Sequence, residues 1–185
     1  GVVQDIVQAV AWYEKAAEQG LAEAQFNAGL CYQSGRGIPS DPLRASSWYS
    51  KAAEQGHAKA QFNLGTLYQA EANPEVAARW YGRAAAQAHA GAQLNLALCY
   101  QKGSGVQRSP VEAARLYGAA AEQGLAAAQY NLALCYHKGD GLPQDWVSAV
   151  AWFERAAEQG HARAQYNLGL CCLKGVDGAL PRDPV

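Results

Sequence analysis

With 185 residues, half of them apolar, the chain can bury a sizeable core, so disorder is not the expected state. A formal net charge of −1 and a pI near 6.5 provide no basic field for nucleic acid or anionic lipid. No apolar run approaches the roughly 20 residues of a membrane-spanning helix, and no signal-peptide pattern stands at the start. Met is absent even at position 1, which points to an excerpt of a longer chain.

The first predicted helix starts after the cap residue Asp5 and runs to Gly20. Its apolar positions Ala9, Trp12, Tyr13, Ala16 and Ala17 recur with helical spacing. A second helix follows, carrying Ala24, Phe26, Asn27, Leu30, Cys31 and Tyr32, and stops at the pair Gly35/Gly37. Residues 9–20 then return as 45–56, 77–88, 113–124 and 149–160, and Asn27 returns as Asn63, Asn95, Asn131 and Asn167. The Asn spacings are 36, 32, 36 and 36, so the unit is 36 residues with four deleted once.

Each later copy starts at its own cap, Asp41, Asn73, Ser109 or Asp145, and Pro42, Pro74 and Pro110 take the first helical position. Gly56, Gly124 and Gly160 close the first helices as Gly20 does; only Ala88 departs. The expected fold is all-α, a single solenoid domain of five helical hairpins and about ten helices. The units are approximately 1–36, 37–72, 73–104, 105–140 and 141–178, with 179–185 starting a sixth and a two-residue insertion near 175–178. Residues 1–5 match the loop 37–41, so both ends fall inside the repeat and end-to-end self-association of the segment is expected.

The pattern Ala-x-Trp-Tyr-x-x-Ala-Ala-Glu-Gln-Gly-x-Ala-x-Ala-Gln-x-Asn-Leu-Gly resembles the Sel1-like repeat, a branch of the tetratricopeptide superfamily, over essentially the whole chain. The resemblance implies a right-handed α-solenoid that assembles protein complexes, with first helices lining the concave face and with no reaction or cofactor. The third unit departs from the pattern at the short loop 71–74 and at Ala88. Some secreted bacterial members staple each hairpin with an internal cysteine pair. This chain lacks the second cysteine, which favours a reducing compartment or indifference to redox.

Cys31, Cys99, Cys135 and Cys171 share one repeat position with Leu67, so burial in the core is expected rather than a metal site or disulfides; Cys172 is the thiol expected to be exposed. His57, His89 and His161 alternate with Leu21 and Leu125, which marks a packing position, and His137 is placed in a loop. No catalytic or metal motif is present, so no catalytic, cofactor or metal residue is assigned. The repeated Asn is read as structural. The stripe Trp12, Trp48, Trp80, Leu116 and Trp152 is read as core rather than as a stacking platform for bases.

The solvent stripe of the first helices reads Ala11/Lys15/Glu18, Ser47/Lys51/Glu54 and Ala151/Arg155/Glu158, with each cation expected near the Glu three residues on. The third unit reads Arg79/Arg83/Ala86, and the fourth contributes Arg115. Beside them Gly82 and Gly118 replace Glu14, Ser50 and Glu154 in mid-helix. Glu75 can pair with Arg79 and Glu112 with Arg115, but Arg83 has no acid at i±3 or i±4. The expected partner site is a shallow groove of Arg79, Gly82, Arg83, Arg115 and Gly118, with Lys51 nearby, taking an acidic peptide or helix end. The expected function is a protein-interaction scaffold or adaptor. The alternative is a permanent structural subunit of a large assembly, and an enzyme is not expected.

Overall fold

Cap residues and left-handed glycines cut the chain into helices of one length. The computed structural model describes residues 5–174. Ten helices of 13 residues each, and no strand, occur among the described residues: α1 Ile6–Glu18, α2 Ala22–Ser34, α3 Pro42–Glu54, α4 Ala58–Ala70, α5 Pro74–Ala86, α6 Ala90–Lys102, α7 Pro110–Glu122, α8 Ala126–Lys138, α9 Trp146–Glu158 and α10 Ala162–Lys174. The expected sequence features at residues 1–4 and 175–185 lie outside the described residues.

All five caps act as their side chains dictate. The Asp5, Asp41, Asn73, Ser109 and Asp145 oxygens accept backbone N–H bonds from three residues on, at 2.9, 3.0, 3.4, 3.3 and 3.2 Å. At the far ends Gly20, Gly56, Gly124 and Gly160 take positive φ. Ala88 takes the same left-handed conformation, φ +60°, despite its Cβ, and so does Ala72 in the shortened loop, φ +55°. The unit that departs from the pattern therefore keeps the backbone path and carries the strain at two alanines flanking α5.

The chain divides into two compact units, residues 1–89 with α1–α5 and residues 90–185 with α6–α10. In the first unit Tyr49 is fully buried in a cluster with Phe26, Ala45, Ala52, Ala60 and Leu64. In the second, Phe153 is fully buried with Tyr130, Ala133, Ala156 and Ala164. The ring next to Trp48, Trp80 and Trp152 (Tyr49, Tyr81 and Phe153) thus forms the core and the tryptophan stands at its edge, whereas Tyr13 beside Trp12 is exposed. Trp12 is 65 % exposed, Trp48, Trp80 and Trp152 are half-buried, and only Leu116 in that stripe is buried. The stripe is therefore core only in part: Trp48, Trp80 and Trp152 pack on the core clusters from their edge, and Trp12 is exposed. The i, i+3, i+4 face includes both rings, and packing against the neighbouring hairpin selects the second.

Successive repeats are also joined by buried glutamines. Gln25 donates to the Ala17 carbonyl at 3.1 Å and accepts from Gln55 at 2.7 Å; Gln61 donates to the Ala53 carbonyl at 3.0 Å and accepts from Gln87 at 2.8 Å. In the second unit Gln93 accepts from Gln123 and Gln129 from Gln159, both at 2.7 Å. Gln129 also donates to the Ala121 carbonyl at 3.2 Å, so the amides of Gln25, Gln61 and Gln129 are satisfied on both sides and carry no desolvation cost of an orphaned group.

Candidate functional site: the exposed face of the first helices

Trp12, Trp48, Trp80 and Trp152 each carry the cation three residues on, laid over the indole ring. Lys15, Lys51, Arg83 and Arg155 sit 4.3, 4.2, 4.5 and 4.4 Å from the ring centroids. In the fourth repeat Leu116 replaces Trp and Ala119 replaces the cation, so the pair is lost together. The expected pairing of Lys15, Lys51 and Arg155 with Glu18, Glu54 and Glu158 is not found among the described ion pairs; the indole face holds these cations instead.

On α5, Arg79 and Arg83 are exposed, lie one turn apart, and line a hollow of about 170 Å³ together with Val76 and Trp80. Neither arginine has a carboxylate partner among the described ion pairs, and Glu75 does not pair with Arg79 there. A Cβ built on Gly82 would meet no atom within 4 Å, so the helix is bare on that side. Lys51 stands on α3 of the same unit. Gly118 on α7, in the second unit, is equally open, but Arg115 is tied to Glu112 at 2.9 Å. Four of the six expected site residues, Lys51, Arg79, Gly82 and Arg83, therefore lie in the first unit and two in the second.

Other polar groups have structural work. His57 and His161 accept the Ala60 and Ala164 N–H groups at 3.2 Å through Nδ1, which places the ring proton on Nε2 in the neutral form. Nε2 of His57 then faces Glu23 at 2.8 Å. His57, His89 and His161 stack on Phe26, Phe62 and Tyr130 with centroids 4.6 to 4.7 Å apart. Burial pushes the His89 pKa down, and neighbouring Lys59 adds to this.

His137 is not in a loop: it occupies the last turn of α8 and meets Trp146 edge-on at 4.5 Å. Gly139, in the left-handed conformation at φ +69°, ends the helix after Lys138. Asn131 donates to the Ala127 carbonyl of its own helix at 2.9 Å.

Cys99, Cys135 and Cys171 are buried and Cys172 is exposed, all as free thiols. Burial raises the Cys99 and Cys171 pKa values and pushes Cys135 up to about 11, which keeps these groups protonated and weakly nucleophilic. Cys31 departs from the expected burial. It is half-buried, lining an open hollow with Tyr13, Asn27 and Leu30 of the first hairpin. No group of three metal-ligating side chains is found among the described residues, and no described helix is long and apolar enough to cross a membrane.

The glutamine ladder was missed in the sequence. Its signal was in plain view, because Gln19 and Gln25 recur in every copy, but equal spacing alone does not say which amide meets which carbonyl.

Stacked helical hairpins with an exposed first-helix face define an α-solenoid of the tetratricopeptide-like class. The Sel1 repeat model matches residues 1–21, 22–57, 58–89, 90–125, 126–161 and 162–185, and the chain belongs to the Sel1 repeat family. It is 40 % identical to a Sel1 repeat protein from Oxalobacter formigenes, covering 95 % of this chain and 72 % of that one with a TM-score of 0.82. A protective antigen of uropathogenic Escherichia coli displaying an SLR fold is 38 % identical, with 90 % and 37 % covered and a TM-score of 0.83. Among curated proteins, DAP3-binding cell death enhancer 1 of Rattus norvegicus is 46 % identical over 37 residues, which is 20 % of this chain and only 7 % of that protein. Sel1 repeat proteins are in general protein-interaction scaffolds.

Proposed function

We propose that the chain is a non-catalytic protein-interaction scaffold that holds a partner reversibly through its first helices, with an acidic peptide or helix end as the bound element. The observation that carries this is the α5 face. Arg79 and Arg83 line a hollow together with Val76 and Trp80, stand exposed, and lack a carboxylate partner among the described ion pairs. A guanidinium is weakly hydrated and presents forked donors, so it suits a carboxylate better than a lysine would. Lys51 adds charge on the neighbouring first helix, and Gly82 leaves room for a partner backbone. Arg115 and Gly118 are assigned as a further contact of the second unit, with Arg115 exchanging Glu112 for a partner acid.

The test is a photo-crosslinking residue placed at position 83 or 51, with position 163 on α10 as the control, followed by identification of what is captured. A discrete partner joined at 83 and 51 but not at 163 is the expected result. Capture should fall about tenfold with Arg83→Ala, the loss of one partly desolvated charged hydrogen bond. Equal capture at all three positions would remove the reading. A complex that never dissociates during gel filtration would replace a reversible adaptor with a permanent subunit.

A further inference from the structure

The first unit's face carries a second feature besides its arginines. Val7 and Leu43, each the second residue of its helix, are 62 % and 84 % exposed. Eight residues on stand Lys15 and Lys51, over Trp12 and Trp48. Positions 7, 11 and 15 lie on one helix face, as do 43, 47 and 51. The apolar and cationic rows are therefore about 12 Å apart along the helix axis, which matches the 10–12 Å width of an α-helix with its side chains. Ala11 and Ser47, both exposed, stand between them, and Glu18 and Glu54 lie beyond the cationic row.

The rows continue from helix to helix. Trp48 packs on the cluster of Ala17, Ala24 and Ala28 with Ala16, and Trp80 packs on the cluster that contains Ala52 and Ala53. These contacts set α1, α3 and α5 side by side. On α5 the corresponding residues are Glu75, Arg79 and Arg83. The apolar row stops there, and the middle row rises into an exposed guanidinium beside the 170 Å³ hollow. The face is thus a trough with an apolar edge, a cationic edge and a positively charged end.

We propose that this trough takes the C-terminal end of a partner's amphipathic α-helix, lying across α1 and α3 with its last carboxylates at Arg79 and Arg83. The proposal rests on the scaffold reading and gives the bound element a chemistry and a direction. A helix C-terminus carries about half a negative charge on its free carbonyls, so it belongs at the arginines, whereas a helix N-terminus there would be repelled. The partner's apolar edge covers Leu43 and Val7, and its acidic edge meets Lys51 and Lys15. Two steps between packed helices of 8–10 Å each span about 16–20 Å, or roughly 11–13 residues of the partner.

The probe is a synthetic helix-forming peptide of about 14 residues, with Leu along one edge, Glu along the adjacent edge, an acetylated start and a free carboxylate after two final Glu. It is titrated into the full chain, followed by tryptophan fluorescence and calorimetry. The expected result is saturable one-to-one binding. Amidating the end and changing the two final Glu to Gln should weaken it about tenfold or more, and this arm leaves the protein unaltered. Leu43→Ser and Arg83→Gln should each weaken binding several-fold, and Arg163→Gln should leave it unchanged.

Absence of saturable binding overturns the proposal, as does equal affinity for the reversed-sequence peptide with its acids at the start. Absence of peptide binding together with discrete partner capture at positions 51 and 83 overturns this occupant while the scaffold reading stands. Failure of that capture is what removes the scaffold reading itself.

Discussion

The two compact units reach the same repeat by different packing. In the first, the residue beneath each buried tyrosine is glycine: a Cβ on Gly29 would lie 2.6 Å from the Tyr49 ring, and one on Gly65 would lie 2.7 Å from the Tyr81 ring. At two of the matching positions of the second unit stand Ala97 and Ala133, both fully buried, and the last, Gly169, again lacks a Cβ. The hydrogen bonds change one repeat later. Tyr49, Tyr81 and Tyr117 donate to Gln33, Gln69 and Gln101 at 2.6, 2.6 and 2.8 Å, whereas the last pair is Phe153 with His137 in place of Gln. The repeat constrains pairs rather than single residues. At the last pair the hydroxyl is lost along with the glutamine that would accept from it.

The largest expected effect breaks that first pairing. Gly65→Ala should destabilise the first unit by about 1–3 kcal/mol, because the methyl meets a fully buried ring and, at 3.3 Å, the Ala77 carbonyl. Ala133→Gly in the second unit should lose about 1–2 kcal/mol for the opposite reason, through helix propensity and an unfilled methyl site. Urea unfolding of both variants reads the contrast. A neutral Gly65→Ala would mean that the tyrosine packing tolerates both spacings and that the difference between units is incidental.

Next in size is the hydroxyl. Tyr117→Phe should cost about 1 kcal/mol, since it leaves the Gln101 carbonyl without its described donor while keeping the ring. Phe153 already shows that a ring without a hydroxyl is accepted at this position when no glutamine faces it. Adding Gln101→Leu to Tyr117→Phe should therefore recover part of the loss, and unfolding midpoints of the single and double variants test it.

Which of these features could be read beforehand follows from their range. Caps, turn glycines and helix number depend on residues within a few positions of one another, so Asp41, Pro42 and Gly56 declared their helix in the sequence. The arginines of α5 and the open glycines were also legible, because a missing acid three residues on is a local fact. The choice between Trp80 and Tyr81 for the core was not: both lie on the apolar face, and only the neighbouring hairpin decides. The same holds for Arg155, whose partner is the indole of Trp152 rather than Glu158. It holds also for the glutamine ladder, which joins residues 26 or 30 positions apart.

Smaller effects sharpen the contrast between bare and covered helix faces. Gly82→Ala and Gly118→Ala, at positions with no atom in the path of a Cβ, should each stabilise their unit by about 0.5–1 kcal/mol through helix propensity alone. Thermal unfolding measures the gain. If Gly82 serves close approach of a partner backbone, the stabilised variant should at the same time bind the peptide probe more weakly.

The smallest effect compares the residues that open the second helices. Leu21 and Leu125 open α2 and α8 without a side-chain cap, whereas His57 caps α4 and His89 stands at the corresponding place before α6. Burial against Phe62 and the charge of Lys59 push the His89 pKa below 6.5, the ordinary imidazole value that the unfolded chain shows. The unfolded chain therefore binds a proton more readily than the folded one, and protonation favours unfolding. The stability due to His89 is complete above the unfolded value and is lost as pH falls through that value toward the folded one. Urea unfolding at about pH 7.5 and about pH 5.5 should show a larger acid-side loss for the native chain than for His89→Leu. Equal losses would mean that the imidazole takes up its proton as readily in the folded chain as in the unfolded one, and that His and Leu are interchangeable here for packing alone.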